Sequence, residues 1–423
     1  MPDFAEASQS PDVAVIGGGP SGAAAAYWLA EAGHSVALIE KKEYPREKTC
    51  GDGLTPRAIH ELRLMDFDFD VPELHRINGL RSYGAGSMLE MEWPDHPVYP
   101  KWGAIIRRAD LDQQVAMLAE KQGVVIHQKA TATPVVEDGR LAGVEISHNG
   151  DSGVLAPRVV VIADGAMSRF GRPLGVGRDR KAPYGLALRA YYSSPRADDD
   201  MMESLLDLQD EEGKNVPGYG WTFPLGGETV NIGVGLLSTS RRWKGLNTGQ
   251  LLDTYLHNLP EHWAVDETSR LTDPVGGKLS MAFSGGPITG SNWVLVGDAL
   301  GSTNPFTGEG IAYGYQTGRM AAATVHRALA ADDLTMLRHY PEELEAEFGD
   351  YYRVGKVFVR AIGNPHIMRA FMTVGFKSKP LMEWTFRVMS NLMPPGDKNL
   401  TKQLYGAIET AVRMAPAGLG RDG

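Results

Sequence analysis

Three glycines spaced as Gly17-x-Gly19-x-x-Gly22, with Pro20 and Ser21 between the last two, form a pattern suited to a pyrophosphate. Gly17 allows a tight turn, Gly19 lets the backbone approach a phosphate, and Gly22 lets a helix pack on a strand. Glu40 lies 18 residues beyond Gly22, where a carboxylate can hold ribose hydroxyls, and Lys41 beside it is a further candidate contact. Cys50 is the only cysteine in 423 residues and stands in EKTCGDGLTPR, against Gly51, Asp52 and Gly53. It can be a small packing residue, the usual fate of a free thiol, or a polarizable group or proton donor inside a site.

These residues need elements to hold them. Val13, Val15 and Ile16 make a short apolar run of strand type, residues 17–22 the turn, and the alanines with Leu29 a helix that Gly33 ends; SVALIE is a second strand closed by Glu40. The helix N-terminus offers free N–H groups and a positive dipole end to phosphates. Strand, glycine turn, helix, strand and terminal acid in that order predict an ADP moiety. Two later segments repeat the strand-to-loop plan. RVVVIADGAMSRFGR runs into Asp164-Gly165, with Ser168 and Arg172 following; NWVLVGDALGSTNPFTGEGIAYGYQTGRM runs into Gly297-Asp298, then Pro305, then Gly308-Glu309-Gly310 before a long helix. Taken singly, each reads as easily as an ordinary surface turn.

Composition limits the function classes. With 43% hydrophobic and 22% charged residues the chain suits a large core and two structural regions. A net charge of −10 argues against nucleic acid as a partner. One cysteine makes no internal disulfide, the polar start MPDFAEASQSPD is unlike a secretory signal, and no run of about 18 apolar residues occurs, so a cytoplasmic protein is expected. No metal-ligand spacing is apparent.

Together the four segments, including IIRRADLDQQVA with Arg108, resemble the fingerprints of FAD proteins of the para-hydroxybenzoate hydroxylase and glutathione reductase type. The resemblance implies an α/β fold: a glutathione-reductase-type, Rossmann-like FAD-binding domain from 11–75, 101–177 and 276–330, an interleaved antiparallel-sheet substrate domain from 76–100 and 178–275, and a C-terminal helical region over 331–423. It implies FAD contacts at Asp164, at Arg108 near the ribityl chain and pyrophosphate, at Asp298 on the ribityl chain, and at Gly308, Gly310 and Ile311, where a helix aims its N-terminus at the flavin ring. It also lays Cys50, Gly51 and Asp52 beside that ring.

In YGWTFPLG, Tyr219, Trp221 and Phe223 fall at every second position and share one face of a strand, most simply as core. With Pro224 and the following VNIGVGLLSTSRR, this stretch also resembles the geranylgeranyl reductase family, in which that face lines a prenyl-chain tunnel. CGDGLTPRA and RVMSNLM resemble its actinobacterial branch, whose members saturate one isoprene unit of menaquinone. The implied catalytic residues are Cys50, Tyr219 and Trp221; the implied substrate contacts are Tyr219, Trp221, Phe223 and Pro224. The partners expected are an isoprenoid quinone or other prenyl lipid and NAD(P)H or a reduced carrier protein as electron donor. Between Tyr351 and Met393, Arg353, Lys356, Arg360, Arg369, Lys377, Lys379 and Arg387 face only Glu383 in an apolar setting. Such helices suit a peripheral seat on the inner membrane surface or a plain structural cap. A geranylgeranyl diphosphate or prenyl-lipid reductase, an aromatic monooxygenase or halogenase, and a non-catalytic prenyl carrier remain as alternatives.

Overall fold

The computed structural model describes residues 10–239 and 243–394. Ser240, Arg241 and Arg242 of the VNIGVGLLSTSRR motif and residues 395–423 of the expected helical region lie outside the described residues.

One layer is a parallel five-stranded sheet in the order Trp293–Leu295, Val159–Ile162, Val13–Ile16, Val36–Ile39, Val125–His127. The three strands in the middle of that order are fully buried four-residue apolar runs, as strands covered on both faces must be. Helix α1 (Pro20–Glu31) follows the first strand, with Pro20 at the helix start. Helices α2 (Pro56–Leu64) and α3 (Arg108–Lys121) come next in the chain, α4 (Thr248–His257) much later. The short α5 (Gly297–Leu300) and the long α6 (Ile311–Ala330) complete this unit. A Cβ at Gly318 would lie 2.4 Å from the Ser21 carbonyl oxygen, so a bare glycine lets α6 seat directly on the first turn of α1.

The second layer is a seven-stranded sheet in the order Val275–Ser280, Tyr184–Ser193, Thr229–Leu237, Gly218–Pro224, Met201–Leu205, Gly79–Gly84, Ser87–Glu92. All its pairings are antiparallel except that of Met201–Leu205 with Gly79–Gly84. This sheet extends to Ser280, past the stretch ending at 275. Beyond it lie α7 (Tyr340–Ile362), α8 (Pro365–Gly375) and α9 (Lys379–Met389). A third apolar cluster, with Met91, Trp93, Met202, Met372, Phe376, Met382 and Phe386, cements α8 and α9 to the seven-stranded sheet. Trp93 stacks on Phe386 with ring centroids 5.0 Å apart. The architecture is thus mixed α/β with a helical C-terminal region.

Candidate active site

The site is built from loops that follow strands of the parallel sheet and from one face of the seven-stranded sheet. Gly17 has a φ of +101°, the left-handed region that glycine tolerates, and a Cβ at Gly22 would fall 1.9 Å from the Gly17 carbonyl oxygen. Gly19 differs: the one neighbour of a Cβ there would be Arg46 Nη2 at 3.9 Å, which leaves open space above the turn. Glu40 is buried; its carboxylate accepts from the Gly18 N–H at 2.9 Å and the Lys42 N–H at 2.9 Å. Lys41 is exposed at the rim.

Two arginines converge on one acid beside this turn. Arg108 is buried and its Nε and Nη2 donate to Asp112, both at 2.8 Å, one helical turn along α3. Arg46 borders the open space over the glycine turn, 3.3 Å from Glu40 and 3.0 Å from Asp112. Sequence reading missed Arg46, because nothing local marks a loop cation that meets an acid 66 residues later. Asp112 was detectable as the i+4 partner of Arg108.

The later segments converge on the same place. Asp164 accepts from the Phe170 N–H at 2.8 Å through Oδ2, and burial raises its carboxyl above the usual range. Asp298 Oδ1 accepts from Thr303 at 3.2 Å and lies 3.5 Å from where a Gly310 Cβ would be; Gly310 caps α6 and Ile311, its first residue, is buried. A Cβ at Gly297 would meet Ser21 Oγ at 2.2 Å, tying the third segment to the first. A Cβ at Gly308 would be in van der Waals contact with the Tyr219 hydroxyl, 3.7 Å away.

Opposite stands the aromatic strand. Tyr219, Trp221 and Phe223 share a face, with successive ring centroids 5.9 and 6.3 Å apart. That face meets the cysteine loop: a Cβ at Gly51 would lie 3.0 Å from Phe223 and 3.4 Å from the Trp221 indole nitrogen. Pro224 ends the strand, buried. Gly233 makes room for Trp221, since a Cβ there would lie 2.2 Å from the indole ring. Tyr219 donates to the Thr307 carbonyl at 2.7 Å, and burial pushes its hydroxyl up to about 12. Cys50 is a free, half-buried thiol, pushed up by burial and so uncharged; its carbonyl accepts from Asn231 Nδ2 at 2.9 Å.

Asp52 is the hub of this contact. It is fully buried at a φ of +64° and accepts from Tyr191 Oη at 2.6 Å, Asn231 Nδ2 at 2.7 Å and the Arg108 N–H at 3.2 Å. Burial pushes its carboxyl up to about 6 against the pull of those hydrogen bonds. Asn231 also accepts from the Trp221 indole at 2.9 Å, so one residue fixes the loop and the aromatic face together.

A family model for the FAD binding domain matches residues 10–343. The chain belongs to that FAD-binding family. It is 37% identical over 400 residues to the menaquinone reductase of Mycobacterium tuberculosis, covering 94% of this chain and 95% of that one. It is 30% identical over 358 residues to a digeranylgeranylglycerophospholipid reductase of Methanopyrus kandleri, covering 82% and 88%. A geranylgeranyl bacteriochlorophyll reductase-like protein of Thermoplasma acidophilum superposes with a TM-score of 0.76 at 25% identity, over 93% of this chain and 99% of that one. This FAD-binding protein is therefore an FAD-dependent oxidoreductase of the geranylgeranyl reductase family.

The residues present fit FAD. Among the described residues, Asp164 Oδ1, Arg46 Nε and Ser302 Oγ are buried without a hydrogen-bond partner, and each belongs to one of the converging segments. With the open space at Gly19, these groups suit a polar ligand spanning the first turn, the Asp164 loop and the start of α6.

Proposed function

We propose that the protein saturates an isolated carbon–carbon double bond in a prenyl chain, with one isoprene unit of menaquinone as the substrate of choice. The observation that carries this reading is the aromatic face over Gly51, which continues into an apolar layer. Phe223 and Met202 both approach Gly53, where a Cβ would lie 3.4 Å from each, and both belong to the cluster that runs through Met91, Trp93 and Phe386 to α8 and α9. A polyprenyl chain needs a dry path of this kind; a small polar aromatic substrate does not. The relatives named as menaquinone and digeranylgeranylglycerophospholipid reductases support the same substrate class.

In its reduced form the cofactor supplies a hydride. The chain's own residues have three tasks. Arg46, Glu40, Asp164 and Asp298, with Gly19, Pro20, Ser21, Gly308 and Gly310, hold the cofactor. Trp221, Phe223 and Tyr219 press the alkene against it and exclude water, because an unactivated double bond reacts only when held in reach. Cys50 and Gly51 bring the loop backbone close to the ring, and the neutral thiol of Cys50 offers a polarizable contact rather than an anion.

The lipid would enter from a membrane surface at α8 and α9. Val374 and Leu381 are 61% and 40% exposed there, next to exposed Lys377 and Lys379. Arg353 is less available, being paired with Glu345 and Asp350. Among the described residues no helix is long and apolar enough to cross a membrane. Electrons come from NAD(P)H or a reduced carrier protein.

The test is incubation of the purified, chemically reduced protein with menaquinone in vesicles, followed by mass spectrometry. A product heavier by two hydrogens is expected; unchanged quinone together with turnover of an aromatic substrate would replace this reading.

A further inference from the structure

Saturating an alkene needs a proton as well as a hydride, and a dry apolar path has few groups to give one. One carboxyl lies at the junction of all three parts of the site. Glu309 sits between Gly308 and Gly310, just before α6, and two residues from the Thr307 carbonyl that holds Tyr219. Its Oε1 accepts from Thr55 Oγ1 at 2.6 Å, which ties it to the end of the cysteine loop at the start of α2. Its Oε2 is sealed from solvent and, among the described residues, has no hydrogen-bond partner.

The groups around it are complementary. Arg57 is buried, and its Nε also lacks a partner among the described residues. Its other nitrogens donate to Gln316 at 2.7 Å and to the Asn391 carbonyl at 3.0 Å, and its guanidinium lies over the rings of Tyr99 and Tyr313. Among the described residues Arg57 therefore carries a buried charge with no carboxylate bonded to it, and its charge acts on Glu309. Tyr219, Tyr313 and Tyr352 also face Glu309, and burial raises the hydroxyls of all three, so they stay neutral. Asp298 lies beyond Gly310. Glu347, which accepts from Gln316, is exposed on the far side of Arg57.

We propose that Glu309 delivers the proton in alkene saturation, with Thr55 fixing its carboxyl and Arg57 receiving the charge it leaves behind. The inference rests on the prenyl-reductase reading. Because Oε1 is occupied by the Thr55 hydroxyl, the proton resides on Oε2. Hydride forms a C–H bond at one alkene carbon, the π pair forms the second C–H bond with the Glu309 proton, and Glu309 becomes a carboxylate facing Arg57. Water admitted while the site opens for product exit returns the proton to Oε2, which is sealed in the closed form, and NAD(P)H or a reduced carrier protein restores the cofactor's two electrons. Burial pushes the Glu309 carboxyl up to about 7, against Thr55 and Arg57, so the proton is present at neutral pH.

The experiment compares wild type, Glu309→Gln and Glu309→Asp, each loaded with FAD and chemically reduced, in a single turnover of menaquinone across pH 5.5 to about 9. Flavin content and reoxidation in air serve as folding controls and should match wild type. Glu309→Gln is expected to slow saturation by about a hundredfold and to lose the fall in rate above pH ~7, while Glu309→Asp keeps that fall. Infrared difference spectra of the oxidised protein between low and high pH give a readout without turnover: of the protonated carboxyl bands that titrate near neutrality in wild type, to which Asp52 also contributes, the one titrating highest should be missing in Glu309→Gln. Saturation by Glu309→Gln within threefold of wild type, or no such band in wild type, overturns the assignment. A wild type that saturates no prenyl chain overturns the substrate reading instead, and the two failures are distinct.

Discussion

At Gly19 the lack of a side chain leaves space that a phosphate can enter, and a branched residue would fill it. Gly19→Val should therefore purify without flavin colour, and its absorbance spectrum checks this; a full flavin complement would displace the pyrophosphate from the turn. Asp52 makes a different kind of prediction. Its folded carboxyl titrates near 6, above the ordinary 3.8, so between those values the unfolded chain releases a proton that the folded chain keeps. Stability due to this group is complete below about pH 4 and is lost as pH rises through about 6, by an amount on the order of 2–3 kcal/mol. Asp52→Asn should flatten the fall in thermal midpoint between pH 4 and about 7, as calorimetry would show. Gly17 and Gly22, whose tight turn and close helix packing are observed, were legible from local spacing, as were the positions of Glu40, Asp164 and Asp298 at the ends of buried strands. Arg46 and Glu309 were not assigned and Asp52 was given no role, because each is defined by a partner from a distant segment: Asp112 for Arg46, Thr55 for Glu309, Tyr191 and Asn231 for Asp52.

The aromatic strand shows what an element adds to its residues. Alternation turns Tyr219, Trp221 and Phe223 to the cysteine loop, while Gly220 and Thr222 face α4; Thr222 Oγ1 lies 3.0 Å from the Tyr255 hydroxyl. Trp221→Ala should leave flavin bound yet lower turnover by up to about a hundredfold, because a loosened alkene spends little time in reach. Stopped-flow reduction of quinone against flavin content separates the two effects, and wild-type turnover would remove the proposed wall. Gly233→Ala should act in the same direction by displacing the indole it supports. At α8 and α9, replacing both Lys377 and Lys379 by Glu should weaken binding to anionic vesicles, most strongly at low salt. Unchanged sedimentation with vesicles would leave these helices as a cap. The sequence made the strand, its alternation and the helical tail readable, since each is a local period. It did not show that Met202 and Phe223 join α8 and α9 in one apolar layer, which depends on strand order.

At the scale of the molecule, the cofactor site is assembled from the first turn, the Asp164 loop and the start of α6, so a ligand there ties together segments nearly three hundred residues apart in sequence. FAD in hundredfold excess over its dissociation constant should stabilise the fold by about 2.7 kcal/mol, read as a rise in thermal midpoint with added FAD. The order of strands in the parallel sheet has a consequence for how such a chain is made. Val13–Ile16 lies in the middle and leaves the ribosome first of the five, whereas the edge strand Trp293–Leu295, two places away beyond Val159–Ile162, comes 280 residues later. At ~5–20 residues per second the nascent sheet waits roughly 14 to 56 s for that strand, with apolar edges bare. The seven-stranded sheet, threaded through the same interval, is also incomplete until Ser280. Neither sheet is complete before the other is nearly so, so cofactor capture waits until the start of α6 has emerged, and chaperone demand and truncation damage concentrate in the interval before it.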